Sequence, residues 1–167
     1  LISADAMQVY RGLPILTNQS ARETELVAIW DLDHEASVGE YTGLAYAAVD
    51  GALARETTPV VVGGTGLYLR AALGDLDLPP APEPAARGRW EAEYDRLGGE
   101  AAHELLVERD PAAAARVHAN DRRRVVRALE LSEAGASLAP SEGRLWSEKM
   151  RHPTLVVGLE VPKDVLD

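Results

Sequence analysis

Residues 58–73 read TPVVVGGTGLYLRAAL, and this stretch decides the fold class. Thr58–Val62 is rich in β-branched residues and predicts a short buried strand, Gly63–Gly66 predicts a turn, and Leu67–Leu73 predicts a helix. An alanine-rich segment, Val38–Arg55, comes before the strand and is also predicted to be helical. A helix, a strand and a second helix in this order predict an α/β fold with a parallel sheet.

Two further segments are predicted to join the same sheet. Leu1–Ala4 has the composition of the end of a buried strand, and Pro153–Leu159 has that of a last strand. Ser37 is the expected N-cap of the helix that follows it. Because the sequence opens inside a strand, without the turn that normally precedes one, we expect an N-terminal part to be missing.

The composition changes between these core segments, where Leu78–Pro84 contains four prolines in seven residues. Proline cannot continue a helix, so a boundary is placed here. We predict that residues 1–78 and 152–167 form an incomplete α/β core and that residues 79–151 form an inserted helical module. The predicted helices of the module are Ala86–Leu97, Glu100–Arg109, Pro111–His118 and Asp121–Ala134, the last of them capped by Asn120 and ended by Gly135.

The overall composition excludes several classes of protein. The chain has 167 residues, 46% of them hydrophobic and 26% charged, which is typical of a soluble globular protein. No apolar run approaches the roughly 20 residues of a transmembrane helix. The absence of cysteine excludes disulfide scaffolds and thiolate metal sites, and no two of the four histidines are four residues apart, as they would be in a helical zinc site. We expect a cytoplasmic monomer with no membrane partner, since the N-terminus has no signal-peptide pattern.

Charge is distributed unevenly along the chain. The net charge of −10 argues against a nucleic-acid binder that uses its whole surface. Residues 1–78 hold 4 basic and 11 acidic residues, whereas residues 85–130 hold 9 of each. Four arginines of the second region fall within six positions, so any contact with a polyanion is expected there: Arg122, Arg123, Arg124 and Arg127.

Asp5 and the glycine turn are the first two candidate sites. Asp5 follows an apolar strand, and ligands of open α/β sheets bind beyond the carboxyl ends of strands. A carboxylate there can accept a proton, although a turn or cap aspartate has the same pattern. Gly63, Gly64 and Thr65 follow a strand and open a helix, which suits either close approach of a ligand or a tight turn. The turn is not a phosphate-binding loop of the Walker type, because no Gly-Lys-Ser/Thr occurs in the chain.

The arginine-rich helix is the third candidate site. At about 100° per residue, Val125, Val126 and Leu129 form one stripe, while Arg123, Arg124 and Arg127 point together to another side. Guanidinium groups bind phosphate oxygens in a bidentate way, so we favour a phosphate-binding role. The alternative is a solvated face on which these arginines pair with Glu130 and Glu133.

Three segments resemble one family in their order and spacing. They are ISADAMQVYRGL (residues 2–13), PVVVGGTGLYLRAAL (59–73) and DPAAAARVHANDRRRVVRALEL (110–131). Each is similar to a segment of the tRNA dimethylallyltransferases, and three matches in sequence are far more specific than one. The resemblance implies a P-loop-kinase-like core with nucleotide (ATP) binding and an inserted helical module that grips the anticodon stem-loop of tRNA.

The resemblance also implies a reaction and roles for residues. The family transfers a dimethylallyl group from dimethylallyl diphosphate to the exocyclic amine of the adenosine 3′ of the anticodon, and Mg²⁺ helps the phosphate loop to stabilise the leaving diphosphate. By this similarity Asp5 would be the general base. The other implied substrate or tRNA contacts are Ala6, Met7 and Gln8 around a flipped-out base, Gly63, Gly64 and Thr65 in the turn, and Arg87, Arg123, Arg124 and Arg127 in the insertion.

The chain also departs from the family pattern. The phosphate loop and the C-terminal segment of the family are absent, and a family lysine is replaced by Gln19. We therefore expect an excised piece of a longer enzyme, inactive by itself, in which Asp5 and the arginine cluster face a shared cavity. The alternatives are an adenylate isopentenyltransferase that uses a free nucleotide, a small-molecule kinase, and a non-catalytic RNA-binding remnant.

Overall fold

The computed structural model describes residues 1–76, 78, 83–139, 149–162 and 165. The chain divides into two compact units, each of which is described by itself. The first unit comprises Leu1–Asp75 together with Glu148–Asp167, and the second comprises Leu76–Ser147.

A parallel pair of strands forms the centre of the first unit. Strand β1 (Ile2–Ser3) pairs with β2 (Val61–Val62), so that Ile2 lies opposite Val61 and Ser3 opposite Val62. The other edge of β1 is covered by Glu25, which accepts a hydrogen bond from the Ser3 amide. The prediction of a buried strand over Leu1–Ala4 is confirmed in its centre, since Ile2 and Ser3 form the strand and are buried, whereas Leu1 lies outside the strand and is exposed. The pairing confirms the predicted α/β class.

Strand β2 is shorter and more exposed than its sequence indicates. We predicted a buried strand over Thr58–Val62, whereas the strand comprises only Val61–Val62, and Val62 is exposed. In the described part of the chain β2 is an edge strand, so one side of it lacks the neighbour that would bury it.

Two helices pack against each other in the first unit. Helix α1 (Val38–Ala54) begins at the predicted cap, where Ser37 and Glu40 form a reciprocal capping box. Helix α2 (Gly66–Leu73) follows the glycine turn. Alanines on the facing sides allow a close approach between the two helices, and the rings of Tyr41 and Tyr68 lie 4.2 Å apart.

The predicted last strand is wrong. Residues 153–159 form no strand, and their apolar side chains, such as Leu155 and Leu159, are almost fully exposed. A segment with high strand propensity forms a strand only where a neighbouring strand supplies hydrogen bonds and a packing surface. No described strand pairs with these residues. The chain is attached to the core just before them, where the Arg151 amide donates to Leu73 and Asp50 accepts hydrogen bonds from Arg151 and His152.

The second unit is helical in its described part. It contains α3 (Pro84–Leu97), α4 (Gly99–Arg109), α5 (Pro111–Ala114) and α6 (Arg122–Glu133). Gly98 separates α3 from α4 at a φ of +81°, a conformation that favours glycine. The core of this unit is built by Ala86, Trp90, Ala102, Leu106, Ala113, Ala114, Val117, Val125, Val126, Ala128 and Leu129.

Two helix boundaries in this unit differ from the prediction. We predicted a helix over Pro111–His118, but α5 ends at Ala114 and turns follow it. We also predicted Asn120 as the cap of the last helix, whereas the cap is Asp121, whose carboxylate accepts a hydrogen bond from the Arg124 amide. Both residue types cap helices well, so composition alone cannot choose between neighbours.

None of the helices that the structure describes is both long enough and apolar enough to cross a membrane.

Candidate functional site

The loop after β1 is organised by Asp5. Oδ1 of its carboxylate accepts a hydrogen bond from the Met7 amide at 2.8 Å and a longer one from the Gln8 amide at 3.4 Å. Asp5 is therefore the turn aspartate that the sequence allowed. Its second oxygen, Oδ2, accepts no hydrogen bond from the described residues, and Asp5 itself is partly accessible. The turn thus leaves one carboxylate oxygen able to accept a proton.

The glycine turn lies directly beside this loop. The Ala6 amide donates a hydrogen bond to Oγ1 of Thr65 at 3.1 Å, although the two residues are 59 positions apart in sequence. A Cβ on Gly63 would lie 2.1 Å from the carbonyl oxygen of Ala4, so only glycine fits at this position. Gly64, by contrast, faces open space. The structure therefore brings Asp5, Ala6 and Thr65 together, and it assigns Gly63 a packing role.

Gln8 connects the loop to the segment that follows it. Its Oε1 accepts a hydrogen bond from the Ser3 hydroxyl at 3.0 Å, and its Nε2 donates to the carbonyl oxygens of Thr17 and Asn18, each at 3.2 Å. Gln19 completes the connection, since its Nε2 donates to the Gln8 carbonyl oxygen. The Gln19 side chain thus makes an uncharged contact with the loop. Met7 is exposed at the tip of the turn.

Tyr41 forms a hydrogen bond to the C-terminal end of β1. Its hydroxyl donates a hydrogen bond to the Ser3 carbonyl oxygen at 2.8 Å, and its ring packs on Tyr68. Burial raises the pKa of the Tyr41 phenol far above its usual value, so the hydroxyl stays a neutral donor. Sequence reasoning missed this residue, because a tyrosine on an alanine-rich helix has no motif that would mark it.

The arginine-rich helix α6 is amphipathic in the predicted orientation. Val125, Val126 and Leu129 are buried, as the helical periodicity predicts, while Arg123 and Arg124 are exposed. The structure assigns Arg123 no side-chain partner among the described residues, and the Nε of Arg124 contacts the Asp121 carboxylate at 3.5 Å.

Two of the predicted tRNA contacts meet on one carboxylate. The Nη1 of Arg127 lies 3.1 Å from Oε2 of Glu130, and the Nε of Arg87 lies 3.4 Å from Oε1 of the same group. The side chain of Glu130 is only 1% exposed, whereas those of Arg127 and Arg87 are 21% and 35% exposed. Pairing of Arg127 with Glu130 belongs to the alternative in which these arginines form a solvated face, but the carboxylate is in fact buried.

Two further charged contacts of this unit join α6 to α3. Glu133 accepts hydrogen bonds from Arg89 at 2.8 Å and from the Trp90 indole at 2.6 Å, and these donors lower the pKa of its carboxyl. Arg122 makes a bidentate contact with Asp95, at 2.9 and 2.8 Å, and lowers the pKa of that carboxyl. The fourth arginine of the cluster, Arg122, is therefore a link between α6 and α3.

The histidines contribute no candidate metal site. His103 donates from Nε2 to the carbonyl oxygens of Ala114 and Val117, which gives it a structural role. In the part of the chain that the structure describes, no group of three or more histidine or acidic residues could hold a metal ion. The expectation of Mg²⁺ stays a prediction, since Mg²⁺ is commonly held by only one or two protein carboxylates together with water and substrate phosphates.

Comparison with known proteins shows consistent similarity to one group of enzymes. A family model described as IPP transferase matches residues 8–167. The chain is 42% identical to a tRNA dimethylallyltransferase of Kineococcus radiotolerans, in an alignment that covers all of this chain and 54% of that protein. The chain spans about half the length of the curated relatives it matches.

Solved structures extend the similarity to the fold. A eukaryotic dimethylallyltransferase acting on tRNA aligns with 78% of this chain and 34% of its own, at a TM-score of 0.62 and 26% identity. A tRNA delta(2)-isopentenylpyrophosphate transferase of Staphylococcus epidermidis aligns with 99% of this chain and 56% of its own, at a TM-score of 0.52 and 26% identity. The predicted resemblance and the predicted fold are thereby confirmed.

Proposed function

The chain belongs to the IPP transferase family, and from this premise we propose that the full-length protein prenylates tRNA. The proposed reaction moves a dimethylallyl group from dimethylallyl diphosphate to the N6 amine of the adenosine 3′ of the anticodon. The observation that carries the proposal is the match of residues 8–167 to the family. The contact between the Asp5 loop and the glycine turn supports it, because it gathers the proposed catalytic base and its neighbours at one strand end.

The proposed chemistry needs a proton acceptor. The lone pair of the adenine amine is delocalised into the ring, so the amine is a weak nucleophile. As the bond from N6 to the first carbon of the prenyl group forms, the bond from that carbon to the diphosphate oxygen breaks, and N6 loses a proton. We propose that Oδ2 of Asp5 accepts this proton, while the Met7 and Gln8 amides hold Oδ1 and fix the orientation of the carboxylate.

The residues around Asp5 would hold the adenine base. A base within a stacked loop must be extruded before a prenyl donor can reach its amine. Ala6, Met7 and Gln8 form the turn beside Asp5, and the Gln8 side chain is held by three hydrogen bonds, so this turn can hold the base without rearranging. Thr65 and the open side of Gly64 complete the proposed surface.

The arginines of the helical unit would bind the tRNA backbone. Arg123 and Arg124 are exposed and Arg87 and Arg127 are partly exposed, so their guanidinium groups can meet phosphate oxygens. A role for Mg²⁺ in stabilising the leaving diphosphate stays a prediction, and no step above depends on it. Addition of EDTA to the full-length enzyme tests that prediction.

An acceptor assay tests the proposed function. The full-length protein is incubated with labelled dimethylallyl diphosphate and one of three acceptors, each in a separate reaction. The acceptors are an anticodon stem-loop with adenosine at the target position, the same stem-loop with guanosine at that position, and AMP. Label on the adenosine stem-loop alone is the expected result. Label on AMP would instead identify a free-nucleotide enzyme, and binding of the stem-loop without transfer would identify an RNA-binding remnant.

A further inference from the structure

Glu130 is a buried acid that no motif of the sequence analysis singled out as functional. It lies on α6, and its side chain is 1% exposed. Its two carboxylate oxygens face two different arginines, Arg127 from its own helix and Arg87 from α3. A buried carboxylate is unfavourable unless neighbouring cations compensate it, so the position of Glu130 depends on both arginines.

The two arginines in turn depend on Glu130. Two guanidinium groups near one point repel each other, and a carboxylate between them removes that repulsion. Arg87 and Arg127 come from different helices, and both contact the carboxylate of Glu130. Each of these arginines is partly exposed, so a phosphate group in solution can reach it.

Glu133, one turn further along α6, provides a contrast within the same interface. It also contacts α3, but its partners are Arg89 and the Trp90 indole, neither of which is a predicted tRNA contact. Glu133 contacts α3 through two hydrogen bonds and Glu130 through the ion pair with Arg87, and of the two acids only Glu130 contacts predicted tRNA-binding residues.

We propose that Glu130 is a positioning residue that holds Arg87 and Arg127 together as a two-arginine clamp for a phosphate of the bound tRNA. This inference rests on the proposed function, since it concerns how the same protein binds its RNA substrate. Glu130 contacts no substrate itself and acts through the two guanidinium groups.

Substitution of Glu130 in the full-length protein tests the proposal. Glu130→Gln keeps the shape of the side chain but removes the charge that aligns the arginines. We expect the Kd and the KM for the anticodon stem-loop to rise by about tenfold, the effect of losing one well-aligned charge-assisted contact, while the KM for dimethylallyl diphosphate stays within about twofold. If the role of Glu130 were purely structural, the substitution would change the KM values for both substrates to a similar extent.

Glu133→Gln is the matched control. It removes a carboxylate from the same helix and the same interface, so it should lower the unfolding midpoint in urea without raising the Kd for the stem-loop. If Glu130→Gln does not fold, Glu130→Asp is used in its place. This variant keeps the negative charge but moves it away from the arginines, because the side chain is one methylene shorter. A folded Asp variant is expected to show a smaller loss of affinity in the same direction.

A combined variant checks that Glu130 acts through the arginines. In an Arg87→Gln/Arg127→Gln background, adding Glu130→Gln should weaken stem-loop binding no further. A further loss there, or wild-type affinity in folded Glu130 variants, would overturn the clamp and leave the proposed function intact. Failure of the wild-type protein to bind the stem-loop would overturn both.

Discussion

Asp5 uses its two carboxylate oxygens for different purposes. Oδ1 closes the turn after β1 through the Met7 and Gln8 amides. Oδ2 is the oxygen that we propose to accept the proton of the adenine amine. Asp5 can therefore be both a turn residue and the proposed catalytic base, because hydrogen bonds to one carboxylate oxygen orient the other.

Asp5→Asn in the full-length protein separates the two roles. The amide oxygen of asparagine can still accept hydrogen bonds from the loop amides, so the turn should persist. Loss of the proton acceptor should lower kcat by about 100-fold or more, with the Kd for tRNA within about twofold of wild type. Asp33→Asn, an exposed change in a neighbouring loop, is the control. Turnover close to wild type would refute the role of Asp5 as a base.

Gly63 illustrates a residue whose importance is steric. A Cβ there would collide with the Ala4 backbone, so Gly63→Ala should lower the free energy of unfolding by about 1–3 kcal/mol. Gly64→Ala enters open space and should change it by less than about 0.5 kcal/mol. Urea unfolding of both variants measures the difference. Equal stability of the two variants would show that β1 and β2 can move apart at Gly63 without a loss of folding free energy.

At the scale of the element, α6 combines a core-forming stripe with a cationic side. Its apolar residues were predictable from the helical period, because burial of that stripe is what stabilises the helix. The partners of Arg122 were not predictable, because they come from α3, which is distant in sequence. Arg122 illustrates this point: it belongs to the cluster by sequence, yet it is bonded to Asp95 and Glu91.

The salt dependence of tRNA binding tests the exposed arginines of α6. Each phosphate contact contributes about 0.7–0.9 to the slope of log K against log salt concentration. Arg123→Gln/Arg124→Gln should therefore weaken binding and reduce the magnitude of the slope. Arg122→Gln is the control, which should lower stability and leave the slope unchanged. An unchanged slope in the double variant would mean that these arginines form an ordinary solvated face.

At the scale of the whole molecule, the charges of the two halves differ. Residues 1–78 carry a net charge of −7, which repels a polyanion, whereas the arginines are concentrated between 85 and 130. The proposed binding of RNA must therefore depend on a few well-placed cations, because the acidic residues of the rest of the chain oppose it.

The 167-residue chain by itself should be inactive. It spans about half the length of its curated relatives, and its sequence contains no Gly-Lys-Ser/Thr motif to bind the diphosphate. We expect no labelled stem-loop when the purified chain replaces the full-length protein in the acceptor assay. Product formed by the purified chain would contradict this expectation.

The sequence by itself determined the α/β class, the main helices and the apolar stripe of α6. These features depend on local patterns: β-branched runs, capping residues and a period of 3.6 residues. It also marked Asp5, the glycine turn and the arginines as candidates, because their spacing matches a family.

Only the tertiary structure decided which groups meet. The contact between Ala6 and Thr65 joins residues 59 positions apart, and the pairing of Arg87 with Glu130 joins two helices. Likewise, the apolar run at 153–159 forms no strand because strand formation depends on a neighbour, which its own sequence does not supply. Contacts between distant segments depend on how the whole chain packs, and no local pattern encodes that packing.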